Sequence, residues 1–478
     1  MQSGGIVTAL KYVDEEVVKR LLKVLDFAVF FSTALVLSTI FARLPGVPNQ
    51  GAVIGFFALQ VALLSVFIIR DLQLYEPSSL VNGCWIFGKT FSAILICGFG
   101  LFSIIDQFLL PMDHGWLPLW AVITTIYLAA TRFGAQLWAR PIARLGRFRK
   151  RIAIVGGGKA AEDALQALEA SRNLNFEIVG LFDDRYDARS PHSVRKHQKI
   201  GKITELADYA RGNRVDLIIV AIPLSAEARL LYILKRLWEL PVDIRISGQA
   251  SSLKLSPRAY TYIGLLPLLA VFDRPLDGWG LFLKNAMERA LACVAIVMLA
   301  PVMLAVAAAI RLESQGPVIF RQKRYGFNNE LVEVFKFRSM FSNLTDANAS
   351  KLVTKGDPRV TRVGRFIRRT SLDELPQLFN VLTGQLSLVG PRPHATQAKA
   401  ADTLYEQVVD GYFARHKVRP GITGWAQVNG WRGETDTREK LEQRVKHDLE
   451  YIDRWSLMFD IMIILKTPLA LLKNENAY

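Results

Sequence analysis

Five apolar segments, with the charges and the proline that interrupt them, decide what this chain can fold into. Four come first: Val24–Ala42, Gly51–Ile69, Trp85–Leu110 and Trp116–Trp138. A spanning helix needs about 20 apolar residues, and the second segment meets this with no charge at all. The first carries Asp26, the third Lys89 and Asp106, and the fourth Arg132. Charges so placed usually face a bundle interior or snorkel from a helix end. Lys11, Lys19, Arg20 and Lys23 precede the first segment, and Arg140, Arg144, Arg147, Arg149, Lys150 and Arg151 follow the fourth. The third connection, around Met112–Gly115, has no Lys or Arg. This bias predicts a four-helix transmembrane bundle over residues 1–145 with both ends in the cytoplasm.

The fifth segment, Ala290–Ile310, has Pro301 in its middle and basic residues on both flanks: Lys284 and Arg289 before, Arg311, Arg321, Lys323 and Arg324 after. An interior proline removes an N–H and clashes with the preceding turn, which kinks or breaks a helix. We therefore expect a re-entrant segment, about residues 281–311, that dips into the bilayer, breaks at Pro301 and returns. That keeps the C-terminal domain in the cytoplasm. With 478 residues there is room for three or so domains. The net charge of +16 calls for an anionic partner, either nucleic acid or the anionic cytoplasmic leaflet. The apolar segments favour the leaflet and no nucleic acid. Cys84, Cys97 and Cys293 lie in or beside apolar segments with no metal-binding spacing, as small buried thiols do. The N-terminus shows no cleavable signal pattern.

Between the bundle and the fifth segment the pattern changes. Arg151–Val155 reads as a buried strand feeding Gly156-Gly157-Gly158, followed by a helical run Ala160–Ala170 and a strand Phe176–Phe182 that ends at Asp183-Asp184. Val215–Ile222 is a further buried strand. This alternation predicts a Rossmann-like α/β domain over about 146–265. Gly156-x-Gly158-x-x-Ala161 is a loose form of the dinucleotide fingerprint. It leaves open whether the domain binds a nucleotide or only keeps the turn.

In the last third, Phe320–Gly326, Phe335–Met340 and Asp357–Arg369 are dense in basic residues. Arginine forks match phosphate oxygens in pairs, although an amphipathic surface helix would use the same arginines on anionic lipid. Thr370–Gln377 then brings Asp373 and Glu374 together, and Arg392 is locked between Pro391 and Pro393. Ser371-x-x-Glu374 matches a capping box, which would make the acids structural. Against that stand Pro376, which spoils an ordinary first turn, the arginines upstream, and Arg392 downstream. A carboxylate can attack phosphorus to give an acyl phosphate. Its neighbour can hold Mg²⁺ together with substrate phosphates.

These motifs resemble the bacterial polyprenyl-phosphate hexose-1-phosphate transferases, and within them the large undecaprenyl-phosphate glucose phosphotransferases. The resemblance covers the whole architecture. It is most specific over about 280–478, in Lys336-Phe337-Arg338-Ser339-Met340, Ser371–Gln377, Val389–Pro393 and Arg419–Gly430. It implies four spans, a Rossmann-like domain, and a re-entrant helix joined to a mainly helical catalytic domain over 276–478. The activity it implies is transfer of hexose 1-phosphate from a UDP-sugar to undecaprenyl phosphate, releasing UMP, at the bacterial inner membrane. By motif position Asp373 is then the nucleophile and Glu374 the Mg²⁺ ligand. Arg368 and Arg392 steady phosphates, and Lys336 lies in the same pocket. Arg321, Arg338 and Gln427, from the same motifs, complete the substrate-binding candidates.

Trp431–Thr437 has the form of the glucose-transferring members, which points to UDP-glucose, with UDP-galactose or another UDP-sugar as the alternative. A nucleotide-gated transporter is a remote rival, since it gives the last 160 or so residues no task. Homo-oligomerisation is left open by the sequence, as is the role of the polar stretch Asn343–Ser350.

Overall fold

A computed structural model of the chain describes residues 15–41, 50–72, 74–75, 88–89, 116–144, 149–170, 176–185, 191–223, 225–248, 260–263, 266–276, 278–342, 357–394, 399–400, 403–405, 409, 411–432 and 437–473. It divides into two units, at Met1–Arg149 and Lys150–Tyr478.

The apolar runs of the first unit become helices α1 (Glu15–Phe41), α2 (Gln50–Asp71) and α3 (Trp116–Arg144). They pack through Phe30, Ala34, Val61, Ala62, Trp116, Trp120 and Leu128, while Ile40, Phe56, Phe67 and Ile126 stay exposed on their outer faces. Outward apolar faces suit lipid. Charges on these helices pair with each other: Arg132 Nη2 lies 2.6 Å from Asp26 Oδ2, and Tyr75 and Tyr127 donate to the same carboxylate. The third expected span, Trp85–Leu110, lies outside the described residues apart from Gly88 and Lys89. Among the described residues Val17–Ile40, Ile54–Asp71 and Gly278–Glu313 are long and apolar enough to cross a membrane. The chain is a membrane protein.

In the second unit, β-branched runs build a sheet from β1 (Lys150–Val155), β2 (Phe176–Phe182), β3 (Ser193–Val194), β4 (His197–Gly201), β5 (Leu217–Val220), β6 (Asp243–Ser247), β7 (Tyr260–Ile263) and β8 (Leu266–Phe272), in the order β3-β4-β2-β1-β5-β6-β8-β7. The centre is parallel, from β4 through β2, β1 and β5 to β6. Helices α4 (Lys159–Ala170), α5 (Ile203–Gly212) and α6 (Glu227–Leu237) cross over between these strands, as parallel pairing requires. The antiparallel strands β7 and β8 carry the sheet past the expected boundary at 265.

At the glycine turn, Asp183 accepts a hydrogen bond from the Gly157 N–H at 3.0 Å and ion-pairs with Arg185 and Arg229. In a dinucleotide-binding domain those amides face a pyrophosphate. Here an internal carboxylate takes the Gly157 amide.

Helix α7 (Gly278–Glu313) is 36 residues long, about 54 Å at helical rise. The expected chain break at Pro301 is absent, because helical geometry runs through it. Leu299 and Met303, on either side of the proline, both pack into one cluster with Phe337 and Ile367, which holds the two halves together. Near its start Lys284 reaches Val389 and Asp460. Near its middle Ala292 packs on Leu378, Val381 and Leu386. At its end the Glu313 carboxylate accepts from the Arg362 and Val363 N–H groups. Its other face leaves Val294, Val297, Met298 and Leu304 exposed.

The rest of the C-terminal region wraps this helix. It comprises the hairpin β9 (Ile319–Tyr325) and β10 (Leu331–Phe337), then α8 (Arg362–Arg369), α9 (Gln377–Thr383) and β11 (Ser387–Val389). β12 (Gly421–Thr423), α10 (Trp425–Val428), α11 (Arg438–Asp453) and α12 (Leu457–Lys473) follow. β11 and β12 pair in parallel. Backbone approach there is so close that a Cβ on Gly421 would lie 2.1 Å from the Gly390 nitrogen.

Candidate active site

The acid pair sits on a turn that three local features force. Thr361 caps α8 by accepting from the Gly364 N–H at 2.8 Å. The chain then leaves the helix through Ser371, whose φ of 59° is the left-handed region that non-glycine residues seldom enter. A 3₁₀ turn, Leu372–Glu374, follows, and Pro376 precedes the first turn of α9, where its missing N–H costs nothing. Leu372 and Leu375 pack inward on the α7 cluster, which leaves Asp373 and Glu374 facing the other way. The capping-box pattern is not realised. Ser371 makes no side-chain cap, its Oγ instead accepts from Arg432 Nη2 at 2.7 Å, and Glu374 turns to cations.

Glu374 Oε1 lies 2.8 Å from Lys336 Nζ and 2.6 Å from Arg392 Nη2, while Oε2 accepts from Arg392 Nη1 at 3.2 Å. Burial opposes its ionisation, but Arg392 and Lys336 outweigh burial and hold its carboxyl well below the usual range. The neighbouring carboxyl moves the other way. Burial, partly offset by Lys336 and reinforced by the Glu374 charge, pushes Asp373 up to about 6. Among the described residues the half-buried Asp373 carboxylate has no hydrogen bond or ion pair. Adjacent acids driven apart by their surroundings are a recurring sign of divided chemical roles. One is spent on holding cations, and the other is left free.

The cations outnumber these acids. Arg324 and Arg432 join Lys336 and Arg392 in the electrostatic neighbourhood of the pair. Burial and Arg392 push Arg324 down to about 10. Burial also lowers Lys336, against the pull of Glu374. Four buried or half-buried cations against two carboxylates leave excess positive charge in a low-dielectric pocket. That arrangement is costly unless an anion fills it.

The remaining sequence candidates separate. Arg368, on α8, stabilises the Asp373 charge. Arg338 is buried and donates to the Ser314 and Gln315 carbonyls, pinning the turn after α7. Arg321 is exposed, 3.7 Å from Glu333 and over the Phe335 ring. Gln427 donates to the Ile422 carbonyl within its own loop. Pro301 is exposed on the apolar helix.

The arginine of β9 that shares the face of Lys336 is Arg324, and strand parity decides this. Lys336 stands opposite Phe320 and Val332 opposite Arg324, whereas Arg321 pairs with Phe335 on the other face. The period of two in Phe320–Tyr325 carried that signal. Arg432 lies in Trp431–Thr437, the stretch tied above to the sugar, but no local pattern places it beside the acid pair, which it reaches from a distant loop. The residues fit Mg²⁺ only in part: two adjacent carboxylates offer hard oxygen donors. No group of three or more His, Cys, Asp or Glu among the described residues is placed to hold a metal ion, so such an ion would share its shell with substrate phosphates.

Comparison with known proteins bears on the same region. The model of the bacterial sugar transferase family matches residues 279–474, and that of a CoA-binding domain matches 78–248. The UDP-glucose:undecaprenyl-phosphate glucose-1-phosphate transferase of Escherichia coli (strain K12) is 40% identical over 76% of this chain and 76% of its own length. The protein of that name from Xanthomonas campestris pv. campestris is 32% identical over 96% of this chain and 94% of its own. An undecaprenyl-phosphate galactose phosphotransferase of Salmonella typhimurium is 30% identical over 79% and 80%.

Proposed function

Since the chain belongs to the bacterial sugar transferase family, we propose that it transfers glucose 1-phosphate from UDP-glucose to undecaprenyl phosphate and releases UMP. One observation carries this reading: a free, half-buried Asp373 beside a fully engaged Glu374, inside a pocket with excess positive charge. Asp373 Oδ forms a bond to the sugar-bearing phosphorus as the bond from that phosphorus to the UMP oxygen breaks. An oxygen of undecaprenyl phosphate then takes the phosphorus from Asp373, the carboxylate is regenerated, and a lipid diphosphate sugar leaves. Arg392, Lys336, Arg324 and Arg432 hold phosphoryl oxygens as charge builds on them, and stabilise it by position and field. Glu374 keeps Lys336 and Arg392 in place, and Arg368 favours the ionised nucleophile. Glu374 would hold Mg²⁺ together with oxygens of the diphosphate, and the ion, when bound, would offset phosphate charge.

The test is UMP release from UDP-glucose by the membrane protein. Release is expected to require undecaprenyl phosphate and Mg²⁺ and to stop in excess chelator. Full rates in chelator would remove the metal role, and no UMP from any UDP-hexose would remove the transferase reading. UDP-galactose is the second substrate to try, because a galactose-named relative aligns over most of the chain and the two sugars differ at one hydroxyl.

For helix α7, whose geometry runs unbroken through Pro301, we propose a placement with both ends, and the catalytic domain, on the cytoplasmic side of the inner membrane. A single folded domain grips it near both ends, through Lys284 and through Glu313. Such fastening supports both ends lying on one side of the bilayer. Cysteines introduced at Lys196 and Lys323, before and after the helix, are expected to react with an impermeant thiol reagent from the same side. Labelling from opposite sides would make α7 a span.

A further inference from the structure

Arg392 is carried on a short strap, Val389–His394, and almost every carbonyl on that strap is held. Lys284 Nζ and Tyr451 Oη donate to Val389 O at 3.0 and 3.1 Å, and the Gly421 N–H donates to Pro391 O at 2.9 Å. Arg415 Nη2 donates to Arg392 O at 2.8 Å, and Arg324 Nη1 donates to Pro393 O at 2.6 Å. Of these donors Arg415 alone acts on Arg392 itself. It is wholly buried, ion-paired with Asp448 at 2.5 Å, and its Nη1 lies 2.6 Å from His394 Nδ1. A buried ion pair adds little net stability over well-packed apolar side chains. What it supplies at this point is a donor aimed at one main-chain oxygen of the strap.

Arg415 sits in a short 3₁₀ segment, Tyr412–Lys417, and one residue of the sheet domain brackets that segment at both ends. Trp238 follows helix α6. Its indole lies so close to Gly411 that a Cβ there would be 2.2 Å from Cζ2. Gly411 is also left-handed, with φ 75°. At the other end Lys417 Nζ lies 4.9 Å from the centroid of the same ring. A chain of direct contacts thus runs from Trp238 to the 3₁₀ segment, through Arg415 to the Arg392 carbonyl, and from the Arg392 guanidinium to Glu374.

We infer that Arg415 is a positioning residue for Arg392, and that Trp238 is the point through which the sheet domain sets it. The inference rests on the transferase reading, and it gives the middle domain a task that needs no ligand at its glycine turn. A shift of a few tenths of an ångström at the indole moves a rigid, charge-clamped strap, and pre-organised donors lose effect steeply with misplacement.

The test is a double-mutant cycle on UMP release. Trp238→Ala and Arg415→Lys are each expected to lower kcat/KM for UDP-glucose about ten-fold, with most of the loss in kcat and with melting temperatures near the parent's. Trp238→Phe, which keeps an aromatic face for Lys417, should recover most of it. In an Arg392→Ala background, already slowed on the order of 10²–10³-fold, neither change should cost more than about two-fold further. Undiminished ten-fold losses in that background would overturn the inference while leaving the transferase reading intact. Should Arg415→Lys fail to fold, Trp238→Ala alone decides the cycle, because that side chain lies at an interface outside the Arg415–Asp448 pair. No UMP from the unaltered chain would overturn both.

Discussion

Asp373→Asn is expected to lower UMP release by a factor on the order of 10⁴ or more, the scale on which loss of a covalent nucleophile falls. The substitution is nearly isosteric and touches no hydrogen bond among the described residues, so the loss would belong to chemistry alone. Stability should not follow activity down. The Asp373 pKa is raised from 3.8 to about 6. Favourable protonation is therefore fully present below the unfolded value and is lost as pH rises through the folded value. At neutral pH the ionised carboxylate costs the fold up to about 3 kcal/mol, and the asparagine variant should melt at or above the parent temperature. The same shift sets a pH profile. A protonated acid cannot attack, so kcat/KM should fall about ten-fold per unit below pH 6 and level off above it. Retained turnover in the variant, or a flat profile from pH 5 to 7, would take the nucleophile's role away from Asp373.

Lys284→Met should be the most damaging single change to stability, at about 3–5 kcal/mol. The ammonium lies 2.7 Å from both Glu288 and Asp460, whose side chains are 3% and 0% exposed, and it also bonds the Val389 carbonyl. Methionine fills the volume and abandons two carboxylates in the interior. Ser387 and the Val389 N–H still serve Glu288, and Tyr451 and Trp455 still serve Asp460. Burial already raises Asp460 against the pull of Lys284, so adding Asp460→Asn should return a good part of the loss. Thermal unfolding in lipid or detergent checks both variants. A Lys284→Met protein within about 1 kcal/mol of the parent would mean that Asp460 is carried protonated in the fold.

How much of this was readable beforehand follows from the range of each force. Period-two and apolar runs are local, which is why Phe176–Phe182 is a strand as expected. The acid pair and the proline-locked Arg392 were also legible, since each is a contiguous motif. Motif membership points to Arg321, whereas strand parity puts Arg324 on the Lys336 face. The apparent capping box was overridden when Ser371 turned left-handed and cations from β10 and the strap claimed Glu374. Arg432, Arg415 and Trp238 reach the site or its support from three distant stretches, and proximity of that kind exists only after folding. Pro301 shows the converse: its local helix-breaking tendency was sound, but packing on both sides kept the helix whole.

The grip of one domain along the whole of α7 has a bearing on where the sugar ends up. With both ends of α7 on one side, as proposed above, a catalytic body clamped to its own membrane helix from Lys284 to Glu313 would ride on one leaflet and take the acceptor's phosphate from that leaflet. The finished diphosphate sugar would then be released on the face where its nucleotide donor was consumed. Nothing in such an attachment carries a polar head through hydrocarbon, a move that costs many kcal/mol for an uncompensated charge. Under that placement, synthesis and passage to the far face would be separate events.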